Sequence, residues 1–184
     1  MKRTAVFLAC GVLVAAIQVR AADLLLLSAG ASYLRHADGY YRATYGNGAF
    51  QPEFEVGVRI YRGFYVMGGY GAIRADGTVP EFGFAAASTQ SFLSLGLGYI
   101  GAVRGPLKLK LEAGLADVMY TEDALQSKYS GGRLGYQAEV GLLVMGKAVF
   151  AGIQAGYTGA TKTIGDVEFK LGGMRVGVLA GIRL

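Results

Sequence analysis

Apolar and polar residues alternate with a period of two along most of the chain after Asp23, with glycine-containing or charged breaks between the runs. Successive side chains of a strand point to opposite faces, so this pattern predicts strands with one apolar face. Phe54, Val56, Val58 and Ile60 alternate with Glu53, Glu55, Gly57 and Arg59. Leu93, Leu95, Leu97 and Tyr99 alternate with Ser94, Gly96 and Gly98, and Leu107, Leu109, Leu111, Ala113 and Leu115 with Lys108, Lys110, Glu112 and Gly114. Leu134, Tyr136, Ala138, Val140, Leu142 and Val144 alternate with Gly135, Gln137, Glu139 and Gly141. At the end, Met174, Val176, Val178, Ala180, Ile182 and Leu184 alternate with Arg175, Gly177, Leu179, Gly181 and Arg183. Less regular runs lie near 23–35, 63–75 and 147–160. Together they predict eight strands of about 11–13 residues and no long helix.

The breaks alternate in length. Those at 36–49, 76–89, 121–132 and 161–169 are long, while Arg62-Gly63, 103–106 and Gly146-Lys147 are short. An antiparallel meander built this way has two unlike ends, with tight turns at one and longer loops at the other. An even strand count also leaves both termini at the tight end. Tyr33, Phe54, Phe92, Tyr120, Tyr136 and Tyr157 fall near the loop ends of their runs, and Tyr61, Phe64, Tyr65, Tyr99 and Phe150 near the turn ends. Two aromatic bands suit the two interfaces of a bilayer.

Composition decides between a soluble and a membrane-embedded barrel. Charged residues are only 17% of the chain, too few for a solvated outer face, and 30 of 184 residues are glycine, which suits a crowded, strongly curved lumen. The expected fold is therefore all-β: an eight-stranded antiparallel up-and-down transmembrane β-barrel, apolar face outward. Residues 1–21 read as a secretory signal peptide, with Met1-Lys2-Arg3 ahead of an apolar run from Thr4 to Ile17 and Ala21 before the cut. Residues 22–184 then form the barrel domain. Removing the leader lowers the formal charge from +5 to 15 basic against 13 acidic side chains, which withdraws the case for nucleic-acid binding.

The whole of 22–184 resembles the small eight-stranded outer-membrane β-barrel proteins of Gram-negative bacteria, the OmpX and Ail group and the membrane domain of OmpA. The features that carry the likeness are the leader, the strand count, the loop asymmetry and the closing run Gly172-Gly173-Met174-Arg175-Val176-Gly177-Val178 through Leu184. Family members usually end that run on an aromatic read by the assembly machinery, and this chain departs from the pattern at Leu184. The resemblance implies an outer-membrane location, contact with the lipid bilayer and lipopolysaccharide, dealings with the assembly machinery, and a monomer.

Two groups of residues are candidates for function. Glu53, Glu55, Glu112 and Glu139 share the inward face with Arg59, Lys108, Lys110, Arg175 and Arg183. Eight strands leave an interior only wide enough for side chains, so these charges are expected to bridge and plug it. The second group is His36, Tyr40, Tyr41, Arg42 and Tyr45 in the first long link, an aromatic and basic mixture suited to an unidentified surface ligand. The reading is a structural or surface-interaction protein. The alternatives are a small low-conductance channel and an acyl enzyme acting on lipid A, the latter resting on His36, Asp38, Asp76, Thr78 and Ser88 at one rim. Nothing in that spacing is specific, and an enzyme is not expected. Nor is a metal or cofactor: no His/Cys cluster has ligand spacing, and Gly96-Leu97-Gly98 lies inside a strand run rather than before a helix.

Overall fold

The computed structural model describes residues 24–124, 127–164 and 167–184, so the leader expected at 1–21 lies outside the described residues. Eight strands follow in chain order: β1 (Leu25–His36), β2 (Gly48–Tyr61), β3 (Phe64–Thr78), β4 (Ala85–Arg104), β5 (Leu107–Ala124), β6 (Ser127–Met145), β7 (Val149–Ile164) and β8 (Val167–Arg183). A short helix, α1 (Gly39–Tyr45), lies between β1 and β2. Each strand pairs antiparallel with its neighbours in sequence, and β8 pairs with β1 from Leu26–Arg183 to His36–Gly173, closing the barrel. Reciprocal backbone bonds join Leu25 and Leu184, which places the ends of β1 and β8 side by side at the short-turn end.

The strands are longer than the alternation predicts, and three of the four expected loops are largely strand. β3 and β4 pair as far as Thr78 with Ala85, β5 and β6 as far as Ala124 with Ser127, and β7 and β8 as far as Ile164 with Val167. The physical reason lies on the outer face. Along β4 the outward residues Tyr99, Leu97, Leu95 and Leu93 give way to Ser91 and Thr89, and on β6 Leu134 gives way to Ser130. Beyond that level no lipid demands an apolar face, so the hairpins continue as polar ribbons without the period-two signal. Only 36–49 makes an excursion of its own, and α1 occupies it.

The lumen is layered. At its turn end Leu26, Tyr65, Met67, Leu143, Met145, Phe150 and Leu179 form one buried apolar cluster, and at its outer end Leu34, Ile73, Phe92, Val118, Tyr120, Ala160 and Leu171 form another. Polar and charged side chains fill the space between. This corrects two expectations. The inward face is apolar at both ends of the barrel, and Tyr65, Phe92, Tyr120 and Phe150 are interior rather than members of the interfacial bands. Tyr33, Phe54, Tyr61, Phe64, Tyr99 and Tyr136 do face outward. Where both faces are apolar, as at Phe64-Tyr65-Val66-Met67, alternation cannot say which residue points inward. Glycine makes the layering possible: Gly96 and Gly114 face each other across β4 and β5, and a Cβ on Gly114 would lie 2.4 Å from the Leu95 carbonyl oxygen.

Candidate functional site

The middle layer is built by period two. Glu53 and Glu55 on β2, Lys110 and Glu112 on β5, Gln137 and Glu139 on β6, Gln154 and Thr158 on β7, and Arg175 on β8 all project inward. Gly30, Gly69 and Gly71 on β1 and β3 leave them room, with a residual cavity of about 30 Å³, near the size of one water. Lys110 is 1% exposed. Its Nζ donates to Glu55 Oε2 at 2.5 Å and Glu139 Oε1 at 2.7 Å, and lies 3.4 Å from Glu112 Oε2. Arg175 Nη2 donates to Glu139 Oε2 at 2.7 Å and Nη1 to Thr158 Oγ1 at 3.0 Å, with Nε 3.6 Å from Glu53 Oε2. Gln137 donates to Glu112 and Gln154 to Glu53.

Glu139 thus bridges the two cations, and the chain of contacts runs from Glu55 through Lys110, Glu139 and Arg175 to Glu53. The nine inward charges expected to bridge and plug the lumen do not all lie in this layer. In this layer the four carboxylates surround Lys110 and Arg175, while Arg59, Lys108 and Arg183 lie farther toward the turn end, where Arg183 Nη2 donates to the Lys147 carbonyl. Glu55, Glu112 and Glu139 bring carboxylate oxygens within 4.8 Å of one another, a spacing that suits a metal ion. The Lys110 ammonium occupies that position instead. The supporting residues Gln137, Gln154 and Thr158 went unread as site residues, although the inward parity of Gln137 beside Glu139 marks it in the sequence.

The second group folds differently from an open loop. Asp38 caps α1, its Oδ1 accepting from Tyr41 N at 3.0 Å, while Oδ2 accepts from Lys170 N on β8 at 3.1 Å. The helix packs against β3 where Gly77 has no side chain: a Cβ there would meet the Thr44 carbonyl oxygen at 2.0 Å. His36 and Tyr41 are buried with ring centroids 4.4 Å apart, and Arg42 Nη1 donates to the His36 carbonyl at 3.2 Å. Tyr40 is exposed and Tyr45 half-buried. His36 and Tyr41 therefore seat the helix, whereas Tyr40, Tyr41 and Tyr45 wall a cavity of about 230 Å³ at the outer mouth. Asp38, Tyr120, Glu122, Lys162, Lys170 and Leu171 are also among its lining residues. Burial raises the Tyr41 hydroxyl pKa, and burial together with the Glu122 carboxylate and Tyr41 pushes Tyr45 up to about 12. The rim residues considered for acyl chemistry do not assemble: the ring nitrogens of His36 have no hydrogen-bond partner among the described residues, and Asp76 is exposed beside Arg74.

Asp38→Ala is expected to remove about 1 kcal/mol of capping and the tether to β8. Amide exchange at Tyr41 and Arg42 should quicken while the heat-dependent gel shift of the barrel is unchanged. Unaltered exchange would show that packing alone holds the helix.

The exterior is the reverse of a soluble protein's. Leu97, Leu115, Leu134, Ile153, Val176 and Val178 are each more than half exposed, on a surface that encloses buried charges. A continuous apolar exterior of this extent requires lipid as its solvent, and a closed barrel is the one strand arrangement that leaves no unpaired edge there.

No protein-family model matches the chain, and no curated protein matches it in sequence. Solved structures do match in fold. The outer membrane protein OprG from Pseudomonas aeruginosa superposes with a TM-score of 0.67 at 13% identity, over 91% of this chain and 99% of that one. The N-terminal β-barrel domain of P. aeruginosa OprF gives 0.59 at 16%, over 89% and 100%. Ail, the attachment invasion locus protein of Yersinia pestis, gives 0.53 at 12%, over 87% and 96%. The chain has the fold of the small eight-stranded outer-membrane barrels.

Proposed function

We propose that the protein resides in the bacterial outer membrane as a barrel with a side-chain-plugged lumen, and works as a structural or surface-interaction protein from its outer end. The observation that carries this reading is the three-layer interior, in which two apolar clusters enclose the ion network anchored by Lys110 and Arg175. Permeating ions would have to displace both apolar layers. The outer end, by contrast, carries the paired hairpins, α1 and the 230 Å³ cavity, all within reach of solvent. A low-conductance channel would run past this acidic layer and then the basic turn end that carries Arg59, Lys108 and Arg183, and would require both apolar layers to move.

Orientation is tested with a membrane-impermeant amine reagent on intact cells. Lys128 and Lys170, exposed on the outer hairpins, should be modified, and Lys147, exposed on the turn between β6 and β7, should be spared until the envelope is broken. Modification of Lys147 alone would invert the proposal.

A further inference from the structure

We infer that the cavity beneath α1 is a binding site for a small organic cation with an apolar body, and that Glu122 is its counter-ion. The inference extends the outer-end reading above by naming a ligand class. The cavity walls are mostly rings and hydrocarbon, from Tyr40, Tyr45, Tyr120 and Leu171 among others. Of its charged groups, all but Glu122 are committed or face solvent. Both Asp38 oxygens accept from backbone amides. The Lys162 ammonium donates to the Tyr120 hydroxyl and sits 4.6 Å from the ring centroid, and the Lys170 side chain is exposed. The Glu122 carboxylate, half-buried in the wall, has no hydrogen bond or ion pair among the described residues.

An unpaired carboxylate beside aromatic faces is complementary to an ammonium, which gains from both the charge and the ring quadrupoles. The protein itself supplies an instance, since Lys162 already places an ammonium against the Tyr120 face. The negative field of Glu122 is also felt by Tyr45, whose hydroxyl it helps hold in the protonated form. A cavity of about 230 Å³ holds a single substituted ring and no polymer. Lys162 opposes the ligand by like charge, so the two residues should have effects of opposite sign.

The test uses the full barrel in lipid nanodiscs, with labelled tyrosine rings followed by NMR during titration with benzyltrimethylammonium, benzyl alcohol and benzoate. The cation is expected to shift the Tyr45 and Tyr120 signals saturably and to bind about tenfold more tightly than either other probe. Glu122→Gln should weaken it by about tenfold, and Lys162→Met should tighten it. Equal binding of the three probes, a preference for benzoate, or indifference to Glu122→Gln would each overturn the inference. The ranking of probes on the unmutated protein decides the matter even if a variant fails to fold. The titration is independent of cellular orientation, so its outcome is separable from that of the lysine labelling.

Discussion

Lys110→Met is expected to destabilise the barrel by about 3–5 kcal/mol, the usual cost of removing one partner from a buried ion network. The substitution keeps a similar volume in a site that is 1% exposed, so the loss is electrostatic rather than a cavity effect. Glu55, Glu112 and Glu139 would be left together around a vacated ammonium position, with only Arg175 to hold Glu139. Lys108, two residues earlier on the same inward face, makes no such contacts among the described residues, and Lys108→Met should change stability by less than about 0.5 kcal/mol. Adding Glu112→Gln to Lys110→Met should recover part of the loss, because it removes one uncompensated carboxylate from a cluster of neighbours. Urea unfolding in lipid vesicles measures all three. Equal effects at Lys108 and Lys110 would contradict the assignment of the network.

Leu97→Arg is expected to cost about 2–4 kcal/mol in a bilayer, the range for arginine on the lipid face of a barrel near the midplane. Leu97 is 61% exposed and pairs with Val66 on β3 and Ala113 on β5, midway along the apolar outer row of β4. Thr89→Arg, on the same outward face but in the polar ribbon, should be nearly neutral. The contrast depends on lipid: in a water-soluble barrel the exposed Leu97 side would accept arginine as readily as Thr89. Matching small effects at both positions would therefore remove the membrane face.

What could be read from the sequence follows from where the physical pattern is strong. Through the bilayer one face must be apolar, so Leu93 to Tyr99 and Met174 to Ile182 announce themselves, and the strand count and loop asymmetry follow. Outside the bilayer that constraint ends, and residues such as Thr121 to Asp123 pair as strand while looking like loop. At the turn end both faces are apolar, which hid the cluster around Met67, whereas Phe92 and Tyr120 carry the inward parity of Ser94 and Glu112 and were misplaced by their position near the strand ends alone. The six members of the ion network were legible by parity, but their pairing depended on strand stagger, which alternation does not carry. It is the stagger that puts Lys110, rather than Lys108 two residues earlier, between Glu55, Glu112 and Glu139. The helix was marked more faintly: Asp38 offers a cap and Gly46, with φ of 87°, a stop, yet seven residues are too few to show a helical period.

A lumen closed by two apolar layers carries no ionic current, which a conductance measurement reads out. Refolded protein that shows a heat-dependent gel shift would be inserted into a planar bilayer under an applied voltage. The account predicts a silent membrane, with the apolar clusters around Met67 and Phe92 excluding ions at either end of the network. Discrete, reproducible current steps from the same folded sample would contradict it and make Lys110 and Arg175 residues of a permeation path.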